Sequence, residues 1–130
     1  MSEKKYHSKV IARDLDGLQM ISACMSGAKC KVSDMKYLPS NKIFLLSVER
    51  NQIEKDNKKI KSVCRIDFVS KVKSKNIDHK KQDLVLELIT IDYLKNKDDY
   101  EINLIFNNNA HIALTTETIE ARLEDQNEIK

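Results

Sequence analysis

The chain has 130 residues, 41% of them hydrophobic and 33% charged, with a formal net charge of +3. This length is typical of one domain, and the apolar content is too high for a disordered chain. No apolar run approaches the roughly 18 residues of a membrane-spanning helix, and no apolar segment follows the basic residues at the start, as it would in a secretory leader. We therefore predict a single domain over residues 1–130, flexible over residues 1–9, in a cytoplasmic protein.

The charged residues are unevenly distributed along the chain. Residues 55–82 contain 10 basic and 3 acidic residues, whereas residues 83–130 contain 4 basic and 11 acidic ones. This separation produces a dipolar surface only if the fold keeps the two segments apart, since an antiparallel meander would interleave them. The sequence leaves both arrangements open.

The first predicted elements are an edge strand and a helix. Val10–Ala12 is a short apolar stretch that either adds an edge strand or packs under the domain. Asp14 or Asp16 can cap a helix, and Gly27 is placed to end it. One face of this helix carries Leu15, Leu18, Ile21, Ser22 and Met25.

The central part of the chain has the period of β-strands. From Lys29 to Thr115 the apolar residues recur at every second position, which places them on one face of a sheet. We predict a hairpin whose turn is Pro39-Ser40-Asn41, then two strands or one bent strand, and then three further strands joined by polar turns. The last of these turns is Asn107-Asn108-Asn109, because asparagine tolerates positive φ. The predicted strands cover Lys29–Leu38, Lys42–Asn51, Val63–Phe68, Val69–Lys75, Asp83–Leu94, Tyr100–Phe106 and Ile112–Leu114, with a charged loop over Gln52–Lys59.

The C-terminal segment has helix-like spacing. Ile119 and Leu123 lie four residues apart with Ala121 beside them, and Glu117 and Glu120 favour a helix start. The predicted fold class is therefore α+β and mainly antiparallel β. About seven strands form a bent sheet or a pleckstrin-homology-like (PH-like) barrel, with an N-terminal helix and a C-terminal capping helix, although an open sheet flanked by helices fits the same pattern.

The sequence contains no motif for a cofactor or a metal ion. A phosphate-binding loop needs several glycines, and the chain has only Gly17 and Gly27. Zinc sites need three or four ligands close together, whereas His7, His79 and His111 are isolated. We predict no cofactor and no metal site.

Cysteines and paired carboxylates offer no clear catalytic group either. The cysteines Cys24, Cys30 and Cys64 lie among apolar neighbours and are expected to be reduced and buried. Cys64 with His79 or His111 would form a nucleophile and base only if folding joined them, and a core position fits Cys64 better. The pairs Asp98-Asp99 and Glu124-Asp125 are expected to be solvated.

A group of lysines is the one candidate binding site. Lys71, Lys73 and Lys75 alternate along a predicted strand, and Lys80 and Lys81 follow in the next loop. Such a cationic strip suits phosphates or an acidic protein surface. It lacks the interleaved aromatic and arginine residues that are typical of nucleic-acid interfaces. The interpretation that we favour is a solvated face whose lysines protect an edge strand from aggregation.

Three stretches resemble a family of small bacterial proteins of unknown function. They are Lys31–Pro39 (KVSDMKYLP), Cys64–Val72 (CRIDFVSKV) and Ile119–Asp125 (IEARLED). Family members carry an aromatic-rich Asn-Arg-Phe-x-Trp-Glu run after the first hairpin, where this chain reads Glu49–Glu54 (ERNQIE) without the aromatics. The resemblance implies a bacterial, cytoplasmic setting and transfers no catalytic residue.

Three hypotheses for function follow. The first, which we favour, is a non-catalytic module that binds another protein. The second is an anion or nucleic-acid binder that uses the five lysines, and the third is an enzyme whose site is assembled from distant residues. The sequence defines neither the partner nor the oligomeric state.

Overall fold

The fold was established from a computed structural model, which describes residues 9–52 and 58–128. Ten strands and one helix make up the described chain, and a single 3₁₀ turn at Val32–Asp34 separates the second strand from the third. The helix α1 covers Leu15–Met25. The strands are β1 (Lys9–Ala12), β2 (Lys29–Lys31), β3 (Met35–Leu38), β4 (Ile43–Gln52), β5 (Lys58–Ile66), β6 (Val69–Lys75), β7 (Val85–Lys95), β8 (Tyr100–Phe106), β9 (His111–Thr116) and β10 (Ala121–Glu128).

All strand pairs are antiparallel and form one open sheet. Its order is β1-β10-β5-β4-β2-β7-β8-β9-β6, and β3 pairs with β4 beside β2. The terminal strands β1 and β6 do not pair with each other within the described residues. The predicted class, mainly antiparallel β with an N-terminal helix, is confirmed. The predicted number of about seven strands is too low, because the first arm of the hairpin is split by the 3₁₀ turn and both ends of the chain add a strand.

Helix α1 has the predicted boundaries. Asp14 is the N-cap, and its Oδ1 accepts a hydrogen bond of 2.8 Å from the backbone N–H of Gly17. Gly27 has φ +84°, in the left-handed region that glycine adopts without a steric cost, and so ends the helix. Leu18, Ile21 and Met25 are buried. The periodicity of the N-terminal segment therefore predicted both the helix and its core face.

The helix also protects part of a strand edge. Beyond the β2 pairing, the backbone N–H and C=O of Leu88 on β7 bond with the C=O of Ala28 and the N–H of Gly27, both at 2.8 Å. The N–H of Ile91 donates to Oγ of Ser22 at 2.9 Å. The chain from the last turns of α1 to Ala28 thus supplies the backbone partners that an edge strand otherwise lacks.

The prediction of a C-terminal capping helix is wrong. Residues 121–128 form β10, which lies between β1 and β5: Leu123 is opposite Val10 on one side and Cys64 on the other. Ile119, Ala121 and Leu123 are all buried, and their spacing fits a period of two as well as a helical one. The segment is extended because two strand edges offer it backbone hydrogen bonds. The C-terminal helix that would close the predicted PH-like barrel is therefore replaced by a strand.

At Phe68 the chain passes from one half of the sheet, which contains β4, β5 and β10, to the other half, which contains β6, β7, β8 and β9. This residue has φ +59° and separates β5 from β6, so the region contains two strands rather than one bent strand. Val69 then hydrogen-bonds through its N–H to the C=O of Lys42 and through its C=O to the hydroxyl of Tyr37, both at 2.8 Å. These bonds join the start of β6 to the β3–β4 hairpin.

One apolar core lies on the inner side of the sheet. Burial alternates along β8 and β9, where Ile102, Leu104 and Leu114 are fully buried. The same cluster contains Leu46 and Ile66 from the other half, so the sheet bends around a common core. One domain over residues 1–130 stays a prediction. The expected flexibility of residues 1–9 falls, apart from Lys9 in β1, outside the described residues, as does most of the loop expected over Gln52–Lys59.

Candidate functional site

Three of the predicted lysines form one row. Lys71, Lys73 and Lys75 lie on β6, the terminal strand of the sheet, and all three are exposed. Their neighbours across the β6–β9 pairing are Thr115, Ala113 and His111, in that order. Because alternate side chains of a strand share a face, the three ammonium groups project from the side opposite the core. The sequence predicted this row from spacing alone.

The other two predicted lysines lie in the turn after β6. The backbone N–H of Lys80 donates to Oδ1 of Asp78 at 3.0 Å, and Lys81 closes the turn with a backbone bond to the same residue. The turn is attached to β6 by a hydrogen bond of 2.8 Å between Nε2 of His79 and Oγ of Ser74. Ser74 alternates with the row lysines and belongs to the other side of the strand. The structure therefore does not add Lys80 and Lys81 to the row.

None of the five lysines forms an ion pair within residues 9–52 and 58–128. The salt bridges of this part of the chain join other residues, for example Lys42 to Glu117 at 3.2 Å and Arg65 to Asp67 at 2.9 Å. The five ammonium groups are exposed and carry no salt bridge to a described carboxylate. They are therefore available to an anion from outside the chain.

The lysine row belongs to a larger surface, which we call the outer face. It consists of the side chains that point away from the core on four consecutive strands, β6, β9, β8 and β7. All of its members are exposed or half-buried. They are Lys71, Lys73 and Lys75; His111, Ala113 and Thr115; Glu101, Asn103 and Ile105; and Val85, Glu87, Ile89, Thr90, Asp92 and Leu94.

A depression of about 690 Å³ lies at one end of the outer face, next to the β8–β9 turn. Its lining combines aliphatic groups with a cation and with polar turn residues, and no carboxylate contributes to it. The lining residues are Lys75, Asn76, Ile89, Ile105, Phe106, Asn107, Asn108, Asn109, Ala110 and His111. This volume is in the range of small binding sites, although the depression is shallow and open.

Hydrogen bonds fix the polar rim of this depression. Asn107 accepts through Oδ1 from the N–H of Glu87 at 3.1 Å, and Asn76 donates through Nδ2 to the C=O of Asn109 at 2.9 Å. Nε2 of His111 forms a hydrogen bond of 2.7 Å with Oδ1 of Asn103. Asn108 and Asn109 both have positive φ, which asparagine tolerates better than most residues. The predicted turn at residues 107–109 is confirmed.

A second group of polar residues is buried in the other half of the sheet. Arg50 and Asp125 are 5% and 2% exposed, and Nη2 of Arg50 donates to both carboxylate oxygens of Asp125 at 2.9 and 3.0 Å. The hydroxyl of Ser62 donates to the same carboxylate at 2.6 Å and accepts from Nε of Arg50 at 3.0 Å. The expectation that Asp125 is solvated is wrong. Its position at the end of the alternating run 119, 121, 123, 125 was the available signal.

The candidate nucleophile pair is not assembled. Cys64 is 2% exposed in the core, and burial raises the pKa of its thiol to about 12. His79 and His111 instead bond to Ser74 and Asn103. Cys30 is also buried, and its pKa is raised to about 12 by burial and secondarily by the charge of Asp34. All three cysteines are free thiols, but Cys24 is only half-buried.

Two further features concern metal ions and membranes. Among the described residues, no group of three or more histidine, cysteine, aspartate or glutamate side chains is placed to hold a metal ion. The single helix in residues 9–52 and 58–128 is too short to cross a bilayer.

Comparison with known proteins connects this chain to one family. No curated protein and no solved structure matches it significantly. The family model described as "Protein of unknown function (DUF2948)" matches residues 8–130, which is nearly the whole chain. The predicted resemblance to a family without an assigned activity is thus confirmed, and the chain belongs to this DUF2948 family.

Proposed function

We propose that this protein is a non-catalytic module that binds another protein through the outer face. The observation that carries the proposal is the combination, on one continuous surface, of exposed aliphatic side chains and of lysines that form no salt bridge to a described carboxylate. Ile89 and Leu94 on β7 are 49% and 56% exposed, and the lysine row lies on the same side of the sheet. A single exposed aliphatic residue is ordinary, but several on one sheet face favour association.

A cytoplasmic location is part of the proposal. It is supported by the three free cysteines, because thiols of secreted proteins are usually paired as disulfides. The bacterial setting rests on the sequence resemblance alone.

The proposal is tested by capturing partners with variants of the outer face. The wild-type chain, the double variant Ile89→Asp/Leu94→Asp and the control Met20→Asp are incubated with native lysate, with nuclease, at salt concentrations on the order of 0.1 M and 0.5 M. Met20 is a matched control because it is 60% exposed on α1, away from the outer face. We expect the wild type and Met20→Asp to retain the same protein at both salt levels, and the double variant to lose it.

Equal recovery by all three chains would contradict the proposal, provided that their thermal unfolding midpoints are similar. Recovery by none of them in any lysate tested would also count against it.

The second candidate is binding of an anion or a nucleic acid by Lys71, Lys73, Lys75, Lys80 and Lys81. The observation that favours it is the absence of ion pairs from these lysines in the described part of the chain. The same capture experiment separates the two functions. Recovery that nuclease abolishes, that falls steeply with salt and that Lys71→Glu/Lys73→Glu removes would support the second function and exclude the first.

A further inference from the structure

The depression and the lysine row are parts of one cross-strand arrangement. Lys75 is opposite His111, His111 is opposite Ile105, and Ile105 is opposite Thr90, which follows Ile89 in a β-bulge. Neighbouring strands are about 4.8 Å apart, so the cation and the aliphatic groups lie within roughly 15 Å of each other. A ligand that occupies the depression therefore also meets the end of the lysine row.

The chemistry of the depression indicates what it can accept. Ile89 and Ile105 offer aliphatic contact, Lys75 offers a positive charge, and no carboxylate contributes to the lining. The side chains of Asn76 and Asn107 are bonded to backbone groups, so the rim keeps its shape when a ligand enters. The site suits a large apolar group that is attached to an acidic one.

The positions of the charges define where the acidic groups of the ligand lie. Lys73 and Lys71 continue from Lys75 along β6 at intervals of about 6.6 Å. The carboxylates of the outer face, Glu87, Asp92 and Glu101, lie on β7 and β8 instead. An extended peptide advances about 3.3 Å per residue, so acidic residues within about four positions of an apolar anchor reach all three lysines.

We infer that the outer face binds an acidic segment of its partner protein, with one large aliphatic side chain of that segment in the depression and its carboxylates against Lys71, Lys73 and Lys75. The inference deepens the proposed function and rests on it. A peptide is favoured over a nucleic acid because the outer face has no phenylalanine, tyrosine, tryptophan or arginine side chain on which a base stacks. Its one imidazole, that of His111, is bonded to Asn103.

The test uses short fluorescent peptides and the full chain. The probe is the capped heptapeptide EDELEDE, which places acidic residues on both sides of the leucine and so does not depend on chain direction. The peptide EDEAEDE keeps the charge and removes the anchor, whereas QNQLQNQ keeps the anchor and removes the charge. We expect EDELEDE to bind at least about five-fold more tightly than either control, because each lacks one of the two contacts.

Variants of the chain locate the contact. We expect Ile89→Ser to weaken EDELEDE binding and to leave EDEAEDE binding unchanged, and Lys75→Glu to weaken both. The matched controls are Met20→Ser on α1 and Lys36→Glu on β3, both at exposed positions outside the outer face, and we expect neither to change binding. Amide chemical shifts of residues 105–111 should change on addition of EDELEDE.

Three outcomes would overturn the inference. Equal binding of EDELEDE and EDEAEDE would show that the leucine side chain does not contribute to binding. Tighter binding of a ten-nucleotide oligothymidylate than of EDELEDE would identify a nucleic acid as the occupant. Shift changes confined to other parts of the chain would place the peptide elsewhere. If the lysate experiment shows a partner that depends on Ile89 and Leu94 while these peptides do not bind, the proposed function stands and the acidic segment is excluded.

Discussion

At the scale of single residues, the buried pair of Arg50 and Asp125 is the least expected feature. Two charged groups in an apolar interior lose their hydration, and good geometry only partly offsets that loss. Here the guanidinium contacts both carboxylate oxygens, and Ser62 provides a further hydrogen bond. The three residues lie on β4, β5 and β10, so the network stabilises one register of these three neighbouring strands.

Removing one member of the pair should be more damaging than removing both. We expect Asp125→Ala to lower the free energy of unfolding by about 3–5 kcal/mol, because the charge of Arg50 loses its buried carboxylate. The double variant Arg50→Leu/Asp125→Leu should lose less than Asp125→Ala, since it leaves no buried charge. Urea denaturation followed by circular dichroism measures both values.

The matched control for this cycle is Asp98→Ala, at an exposed carboxylate in the β7–β8 turn. A loss of less than about 1 kcal/mol for Asp125→Ala would be the value of a surface ion pair and would contradict the buried network.

The buried thiols predict how stability depends on pH. Burial raises the pKa of Cys30 and Cys64 from the ordinary 9.0 to about 12 in the folded chain. The unfolded chain therefore loses these protons first as the pH rises. The stability from the two protonated thiols is complete below pH 9, and about 1.4 kcal/mol per thiol is lost for each pH unit between 9 and 12.

Urea midpoints measured between pH 8 and pH 11 check this dependence. Cys64→Ala is less stable at pH 8 because it leaves a small cavity, but its stability should fall less steeply with pH than that of the wild type, because one titrating group is gone. Parallel curves for the two chains would show that Cys64 does not contribute.

At the scale of elements, helix α1 is fixed by close contact with β1. A Cβ atom added to Gly17 would lie 2.9 Å from Cα and 3.0 Å from Cβ of Ala12. The glycine that weakens the isolated helix is therefore the residue that lets the helix reach the strand. The apolar spacing of α1 predicted its core face, but this backbone approach has no signature in the sequence.

We expect Gly17→Ala to destabilise the protein by roughly 1–3 kcal/mol, although alanine is the better helix former by about 1 kcal/mol. The contact with the backbone of Ala12 outweighs the gain in propensity. The matched control is Ala23→Gly, an exposed position of the same helix, which should cost about 1 kcal/mol through propensity alone. A higher thermal midpoint for Gly17→Ala would mean that α1 moves away from β1 without penalty.

At the scale of the whole molecule, the basic and acidic segments are interleaved. The strands β5 and β6 of the basic segment pair with β10 and β9 of the acidic segment. Ion pairs also join the N-terminal part of the chain to the acidic one, as between Arg13 and Glu120 at 3.6 Å. The separation of charge along the sequence therefore does not become two separate halves of the surface.

The strand β10 holds the sheet together at one end, because β1 and β5 both pair with it. We expect a chain that ends after Glu120 to lose cooperative unfolding, since β1 would have no partner strand and β5 would have an unpaired edge. A chain that ends after Glu128 keeps β10 and is the control. Thermal unfolding and amide chemical-shift dispersion measure the difference, and a cooperative, well-dispersed spectrum for the shorter chain would contradict this role of β10.

The sequence by itself determined the features that depend on neighbouring residues. These are the helix from Leu15 to Met25, the turn at residues 107–109, and the row of alternating lysines on β6, whereas the sequence left the helix cap open between Asp14 and Asp16. Each follows from local sterics, hydrogen bonding or a period of two, which act over a few positions of the chain.

Only the tertiary structure decided the features that depend on distant partners. Ile119 and Leu123 fit a helix and a strand equally well, and the segment became β10 because β1 and β5 both present it with backbone groups. Asp125 is buried because the same pairing places it beside Arg50. The depression likewise exists only because four strands bring Lys75 and Ile89 to one side of the sheet, and backbone hydrogen bonding between segments far apart in sequence cannot be derived from any one of them.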